Sequence, residues 1–373
     1  MARGHLALEV REGVCRALFA YEVARSIDLD AAQARITALK QRATIRHKRR
    51  APSYFEYRPA PLRVTQEAEP LAVGPHRTAP TVDLLLYDFG AISVSYMIPF
   101  GGPFQVLLAL SEALYDNAAL LADSRQRVEQ LVRGIHPAVS RSSLADFVEP
   151  YFIFEIAALG VPTPPPELIA AHARELAQVL RSERTALSDQ EVSDALAYRI
   201  SYGPDDLALI DWDAALLFDR DAEDVRDVLE FANVELLEMR YLDQQLDDAL
   251  DQAYEVLSRR AWGRFWFPSS GADLRRIGSM QVDSAILFEG VNNALKLLGD
   301  QYLARVYRLV SERFHLAEWD ASILRKLQTL ESVYQKMSDF TSTRRMEVLE
   351  WIIILLFVAS IVLPLVSPVS GHP

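Results

Sequence analysis

The feature that most constrains this sequence is an uncharged, strongly apolar run close to its C-terminal end. Residues 351–369 carry no charged side chain over 19 positions, and Ser360 and Ser367 are the only polar residues among them. As a helix the run spans roughly 28 Å, against a bilayer core about 30 Å thick. A helix that is buried on one side only has a polar face that recurs at helical spacing, and this run has no such face. The run therefore predicts one transmembrane helix, which we place at residues 346–369.

The charges around this run predict its orientation. Arg344 and Arg345 precede it, whereas residues 370–373 carry no Lys or Arg. Basic residues are retained on the cytoplasmic side of a membrane span. The sequence thus predicts a single-pass membrane protein with a C-terminal anchor and a cytoplasmic N-terminal part. The ring of Trp351 is expected at the inner interface, where amphipathic aromatic side chains are favoured.

Composition excludes several other classes of protein. The chain has 373 residues and is 50% hydrophobic, which suits a folded core and about two or three domains. One cysteine and seven widely spaced histidines leave no disulfide framework and no Cys/His zinc site. The formal net charge is -12, yet residues 205–255 hold 17 Asp/Glu against 3 Lys/Arg, or -14. The acidity therefore belongs to one segment.

The first 218 residues alternate between strand-like and helix-like patterns. Apolar alternation over 10–28 indicates a strand, and residues 81–98, around Gly90, indicate a hairpin. Helical periodicity covers about 103–131, 141–159 and 167–185, and a second hairpin is expected across 203–206. Strands interleaved with helices predict an α+β head domain of mixed α/β character. Its predicted parts are an N-terminal strand/helix segment at 1–65, a linker at 66–80 and the rest of the head at 81–218.

From residue 219 the pattern changes to long helices. Apolar residues from Leu229 to Leu257 recur at alternating spacings of three and four, and only Asp243 interrupts this seam. We expect Asp243 at a helix interface beside a basic or polar group, with partial access to water. Two further apolar helices follow, at 287–309 and 319–337. The pattern predicts a long antiparallel, coiled-coil-like helical stalk over 219–345.

Three segments resemble a known family. They are Leu207 to Asp219 with the acidic helix after it, Glu312 to Trp319, and Arg344 to Ile354, where arginines lead through Leu-Glu-Trp into the terminal run. These segments resemble the required-for-meiotic-nuclear-division family, whose conserved members occur in bacteria and mitochondria, over roughly residues 81–363. The resemblance implies a membrane-anchored scaffold. Mitochondrial members are associated with the inner membrane and with organellar translation, and the family offers no catalytic residues to carry over.

One short motif suggests chemistry. Asp211 and Asp213 follow an apolar strand, as the Asp-x-Asp of metal-dependent phosphotransferases does, where one carboxylate attacks and both help to hold Mg²⁺. Such enzymes also need a lysine and aspartates from later strands, whereas helices follow here. A phosphotransferase or hydrolase using this pair is the alternative to two polar residues at a strand end. No other catalytic signature or cofactor motif is present, so an enzyme is the less favoured class and no cofactor is expected.

Two charged segments are candidate partner-binding surfaces. Acidic residues recur every four positions along one predicted helix, at Asp243, Asp247 and Asp251. This series is either a solvated face of the helix or a site for a basic partner. The basic run includes Arg46, Lys48, Arg49 and Arg50 and is followed by aromatic residues. Such a run is either a solvated linker or a site for nucleic acid, a ribosome or anionic lipid.

Aromatic residues mark the loop expected after the first long helix. Trp262, Phe265, Trp266 and Phe267 lie among arginines there, which suits a membrane interface together with Arg344, Arg345 and Trp351. The alternative is an aromatic cap on the end of the bundle. The sequence as a whole predicts a tail-anchored inner-membrane scaffold or tether with a cytoplasmic-facing head. Its expected partners are the lipid bilayer and other proteins, or further copies of itself bound through the stalk.

Overall fold

The fold is taken from a computed structural model, which describes residues 8–40, 60–261 and 301–333 together with positions 278, 282, 335–336, 350, 353–354 and 356. The chain divides into two compact units. The first unit comprises Met1–Leu242 and Leu287–Ala321, and the second comprises Asp243–Ile286 and Ser322–Pro373. Each unit is described by itself below.

An eight-stranded sheet forms the centre of the first unit, with strand order β10-β11-β12-β9-β1-β7-β6-β3. Its neighbouring strands are antiparallel, except that β12 runs parallel to β9. Two short ribbons, β2-β8 and β4-β5, lie outside the sheet. The strands are β1 Glu9–Glu22, β2 Ala24–Ile27, β3 Leu62–Glu67, β4 Ala72–Val73, β5 His76–Arg77, β6 Thr81–Leu86, β7 Ala91–Pro103, β8 Val139–Ser142, β9 Glu149–Leu159, β10 Arg199–Ile200, β11 Leu207–Ile210 and β12 Ala214–Phe218.

Helices cover both faces of this sheet. The helices of the described residues are α1 Leu29–Lys40, α2 Gln105–Leu114, α3 Ala118–Gly134, α4 Pro165–Arg181, α5 Asp189–Ala195, α6 Glu223–Ala261, α7 Gln301–Arg313 and α8 over 316–333, with a short 3₁₀ turn at His136–Ala138. Local capping fixes some of their starts: Asn117 accepts a hydrogen bond from the Leu120 amide at 3.0 Å before α3, and Ser188 caps α5 in the same way.

Strand β1 explains why the sheet has two cores. Successive side chains of a strand point to opposite faces, and both faces of β1 are apolar from Ala17 to Tyr21. Phe19 faces a core shared with α2, α3, α4 and α5. Leu18 faces a second core shared with α6 and α7. Each such side chain contributes roughly 1.5–3 kcal/mol when it is fully buried.

The β6–β7 hairpin confirms the turn predicted around Gly90. β6 and β7 pair in register from Val82 opposite Tyr96 to Leu86 opposite Ile92. Gly90 has φ +112°, and a Cβ there would lie 1.7 Å from the carbonyl oxygen of Ala24. Only glycine fits this combination of backbone conformation and close approach.

One predicted helix is a strand in the structure. Residues 141–159 show helical periodicity, yet Glu149–Leu159 form β9, which pairs with β1 on one side and with β12 on the other. Buried on both faces, β9 has a nearly continuous apolar sequence, and a short apolar run can match either period. Pairing with two distant strands decides the structure here.

The predicted stalk is also wrong in the described part of the chain. Leu229, Ala232 and Leu236 are seam residues of α6, and they pack on the sheet residues Leu18 and Tyr151. The described residues show a mixed α/β fold built on a large sheet, with no long coiled coil. Heptad spacing indicates an apolar stripe along a helix. A sheet face can bury such a stripe just as a partner helix can.

The predicted membrane anchor is contradicted as well. Across the described residues, no helix is both long enough and apolar enough to cross a membrane. This finding overturns the tail-anchored, single-pass protein and the cytoplasmic orientation inferred from it. The run at 346–369 is described only at positions 350, 353–354 and 356.

Candidate functional site

Asp211 is the centre of a buried ion network. It follows β11, and its side chain is fully buried. Arg313 donates from Nε to Oδ1 at 2.7 Å, and its Nη2 contacts the same oxygen. Arg181 Nε lies 2.7 Å from Oδ2, an ion-pair contact without the angles of a hydrogen bond. Both oxygens of the Asp211 carboxylate therefore face guanidinium groups.

Asp194 completes this network. Its Oδ2 accepts from Arg181 at 2.6 Å and from Arg313 at 3.2 Å. Burial lowers the pKa of Arg313, and the two carboxylates more than offset this effect, so that its pKa is raised overall. The network joins four elements, because Arg181 ends α4, Asp194 lies in α5, Asp211 follows β11 and Arg313 ends α7.

Asp213 lies at the edge of this network: partial burial and the charge of Asp211 raise its pKa, and Arg181 and Arg313 offset part of this effect. The Asp213 side chain is exposed in the turn between β11 and β12, and its carbonyl oxygen accepts from the Phe152 amide at 3.0 Å. Among the described residues, no group of three or more His, Cys, Asp and Glu side chains could hold a metal ion. The Asp-x-Asp motif therefore consists of one carboxylate held by arginines and one directed to solvent.

A second unusual feature is a set of buried carboxyl groups on α6 and at the start of β9. Burial is the largest cause of a raised pKa at Asp227 (about 6), Glu149 (about 7), Glu238 (about 7) and Glu235 (about 8). Each has a different neighbour. Arg240 pairs with Glu149 and Arg226 with Asp227, and Tyr307 donates to Glu235 at 2.7 Å.

Glu238 has another carboxyl group, that of Glu22, as its partner. The two side chains are hydrogen-bonded to each other, and both are almost fully buried. Burial and the proximity of Glu238 raise the pKa of Glu22 well above its ordinary value. A hydrogen bond between two carboxyl groups requires a proton on one of them. With both groups deprotonated, two negative charges would face each other in the buried space between the end of β1 and α6.

The acidic series of α6 continues into the second unit. Lys326 on α8 places its Nζ 2.7 Å from both Asp243 and Asp247. The side chain of Asp243 is 18% exposed, so it has the partly hydrated interface position beside a basic group that the sequence predicted. Asp248 and Asp251 are exposed, and so is Glu255. On the other side of the helix, Leu246, Ala249 and Ala253 are buried.

The remaining candidate residues lie outside the described part of the chain, and the structure does not place them. These are the basic run Arg46, Lys48, Arg49 and Arg50, the aromatic residues Trp262, Phe265, Trp266 and Phe267, and Arg344, Arg345 and Trp351.

Sequence reasoning missed the partners of Asp211. Arg181 and Arg313 lie 30 and 102 residues away, and no local spacing links them to it. The one available signal was Arg313 itself, a charged residue among the apolar positions Val310, Phe314 and Leu316. An arginine on an apolar face requires a buried acidic partner, although the pattern does not identify that partner.

Comparison with known proteins gives one family. A family model described as "Uncharacterized protein MJ0711, N-terminal domain" matches residues 12–224. The uncharacterized protein MJ0711 of Methanocaldococcus jannaschii is 25% identical over 207 residues, which are 54% of this chain and 62% of that protein. The match thus covers less than two thirds of the relative. No solved structure matches. Nothing in these matches supports the meiotic nuclear division family, so that assignment was wrong: it rested on short segments largely outside the matched range.

Proposed function

We propose, from the premise that this chain belongs to the family of the MJ0711 N-terminal domain, that it is a non-catalytic scaffold which binds a basic protein partner. The proposed docking surface is the acidic face of α6, defined as Asp247, Asp248, Asp251 and Glu255. All four side chains are exposed, and the opposite side of the same helix is buried. A fixed, one-sided array of carboxylates is the observation that carries this proposal.

The electrostatics of this face favour a cationic partner. Asp247, Asp251 and Glu255 are spaced four residues apart, and like charges at this spacing destabilise a helix by a few tenths of a kcal/mol per pair. Lys326 forms ion pairs with Asp243 and Asp247 at the start of the series. A basic surface would reduce the repulsion along this face and accelerate association through its long-range attraction.

The geometry at Asp211 weighs against the phosphotransferase alternative. A nucleophilic or metal-binding aspartate needs an oxygen that substrate or cation can reach. The Asp211 carboxylate is fully buried and faces Arg181 and Arg313. Such an arrangement is typical of a structural ion pair.

Affinity purification with two matched charge reversals tests the scaffold proposal. The first variant is Asp248→Lys/Asp251→Lys on the acidic face, and the control is Glu67→Lys/Glu69→Lys, which makes the same charge change at exposed positions of the first unit. The wild-type protein and the control should recover the same basic protein, identified by mass spectrometry. The acidic-face variant should bind it about tenfold more weakly, since each exposed ion pair contributes about 0.2–1 kcal/mol.

The purified complex of this protein with its basic partner then allows a direct check. Its association should weaken steeply as salt rises, because exposed charges are screened beyond about 10 Å at 0.1 M. Equal binding by the two variants, or recovery of a partner without basic character, would contradict the proposal. Recovery of further copies of this chain alone would instead favour self-association.

A further inference from the structure

A cleft of about 360 Å³ opens beside α3 in the first unit. Small-molecule sites in proteins have volumes of about 300–1,000 Å³, so this cleft falls within that range. At about 30 Å³ for each water-sized group, it has room for a ligand of roughly ten non-hydrogen atoms. Five residues of α3 line one wall, and Ser142 and Leu144, at the end of β8 and just after it, line the other.

The fold fixes both walls of this cleft. On the β8 side, the Ser143 amide donates to the Val23 carbonyl and the Ala145 amide donates to the Glu22 carbonyl, each at 2.9 Å. These hydrogen bonds hold the segment 142–145 against the end of β1, so the cleft is preformed. On the α3 side, the lining residues recur three and four positions apart and therefore share one face of the helix. They are Arg125, Val128, Glu129, Val132 and Arg133.

The cleft combines an apolar floor with a charged rim. Val128 is fully buried, and Val132 and Leu144 are half-buried. The side chains of Arg125 and Arg133 are more exposed, at 38% and 72%. A ligand in this cleft would therefore meet apolar groups at the bottom and guanidinium groups at the mouth.

The two arginines differ in how far their N–H donors are engaged. Arg125 lies 3.5 Å from Glu129 and 3.8 Å from Asp146, and its Nη1 donates to the Ala145 carbonyl at 3.4 Å. Arg133 donates from Nε to the Glu129 carbonyl at 3.1 Å. Its Nη2 lies 3.7 Å from the Glu129 carboxylate, beyond hydrogen-bond distance. Since a guanidinium has five N–H donors, Arg133 is the arginine suited to bind an anion at two points.

We propose that this cleft binds a medium-length aliphatic monocarboxylate. The carboxylate contacts the guanidinium of Arg133 and the hydroxyl of the exposed Ser142, and the chain packs on Val128, Val132 and Leu144. Such a ligand suits both parts of the lining, because its charge is hydrogen-bonded while its methylene groups are removed from water. A cation would meet two guanidinium groups, and a neutral ligand would gain only the apolar contacts. This site shares no residue with the acidic face of α6.

Ligand-detected NMR titration of the full chain tests the proposal with octanoate, the uncharged octan-1-ol and the short-chain butyrate. Octanoate should bind at least about fivefold more tightly than octan-1-ol, because hydrogen bonds to charged groups are stronger. It should also bind at least about tenfold more tightly than butyrate, which has fewer methylene groups to bury. Arg133→Gln should weaken octanoate binding about fivefold or more. The matched control Arg11→Gln removes an exposed arginine outside the lining and should leave octanoate binding unchanged.

Two further variants separate the charged rim from the apolar floor. Glu129→Gln should strengthen octanoate binding about twofold, because it removes the carboxylate that faces both arginines. Val132→Thr keeps the shape of the side chain and should weaken octanoate and octan-1-ol alike, by about threefold, whereas Arg133→Gln should leave octan-1-ol binding unchanged. These three positions are exposed or half-buried, so the variants should fold, as melting curves will check. Undetectable octanoate binding, octan-1-ol binding as tight as octanoate, or unchanged octanoate binding by Arg133→Gln would overturn the proposal.

Discussion

Replacing Asp211 with asparagine tests whether its carboxylate has a structural or a catalytic role. The substitution keeps the shape of the side chain and removes the charge that faces Arg181 and Arg313. Loss of one partner from a buried ion pair costs about 3–5 kcal/mol, because the opposite charge stays buried. Asp194, which is half exposed, still contacts both arginines. We therefore expect Asp211→Asn to lower the free energy of unfolding by about 3 kcal/mol, the lower end of this range.

Urea unfolding followed by circular dichroism measures this change, and Asp213→Asn is the matched control. Asp213 is exposed in the same turn, so its substitution should stay within about 0.5 kcal/mol. A double-mutant cycle of Asp211→Asn with Arg313→Met should give a coupling energy of at least about 1 kcal/mol, since the two side chains are in contact. An Asp211→Asn protein as stable as the wild type would refute the structural role and return this residue to the candidates for catalysis.

Three further predictions concern other parts of the structure. Burial raises the pKa of Glu238 to about 7 from an ordinary value of 4.5, so the stability it contributes is complete below about pH 4.5 and is lost as pH rises through about 7. Urea midpoints should fall as pH rises from about 4.5 to about 7, and Glu238→Gln should flatten this dependence. An unchanged slope would contradict the assignment. Lys326→Met should destabilise the second unit by about 1 kcal/mol, because two carboxylates then face each other. Asp243→Leu should not be destabilising, because Lys326 still has the carboxylate of Asp247 as a partner. A greater loss of stability from Asp243→Leu than from Lys326→Met would contradict this prediction. Gly90→Ala should cost about 3 kcal/mol or more in thermal unfolding, since its Cβ would overlap the Ala24 carbonyl, and a well-folded Gly90→Ala protein would show that the turn can shift.

Local signals in the sequence predicted some features correctly. The turn at Gly90 followed from glycine between two alternating apolar runs, and β6 and β7 pair across it. The interface position of Asp243 followed from a single polar residue in an apolar stripe, and Lys326 lies beside it. The long helix after residue 222 followed from its apolar period. At Gly90 and in the long helix the determining pattern is local, whereas the partner of Asp243 lies 83 residues away in the sequence.

The candidate sites were mostly beyond such reasoning. The sequence singled out Asp211 for the wrong reason, because a strand-end aspartate has the same local pattern whether it meets a cation or two arginines. The carboxyl pair of Glu22 and Glu238 is similarly invisible, since each residue alone is an ordinary polar position on a strand or helix.

The sequence by itself determined which segments can be buried and where the chain turns, because periodicity and turn residues act over a few positions. Only the tertiary structure decided what each buried face meets. Residues 149–159 became a strand because β1 and β12 were available to pair with it, and α6 lies on a sheet because its stripe found Leu18 and Tyr151 there. Apolar burial is non-directional. An apolar stripe therefore predicts that a surface will be covered, but not which element will cover it.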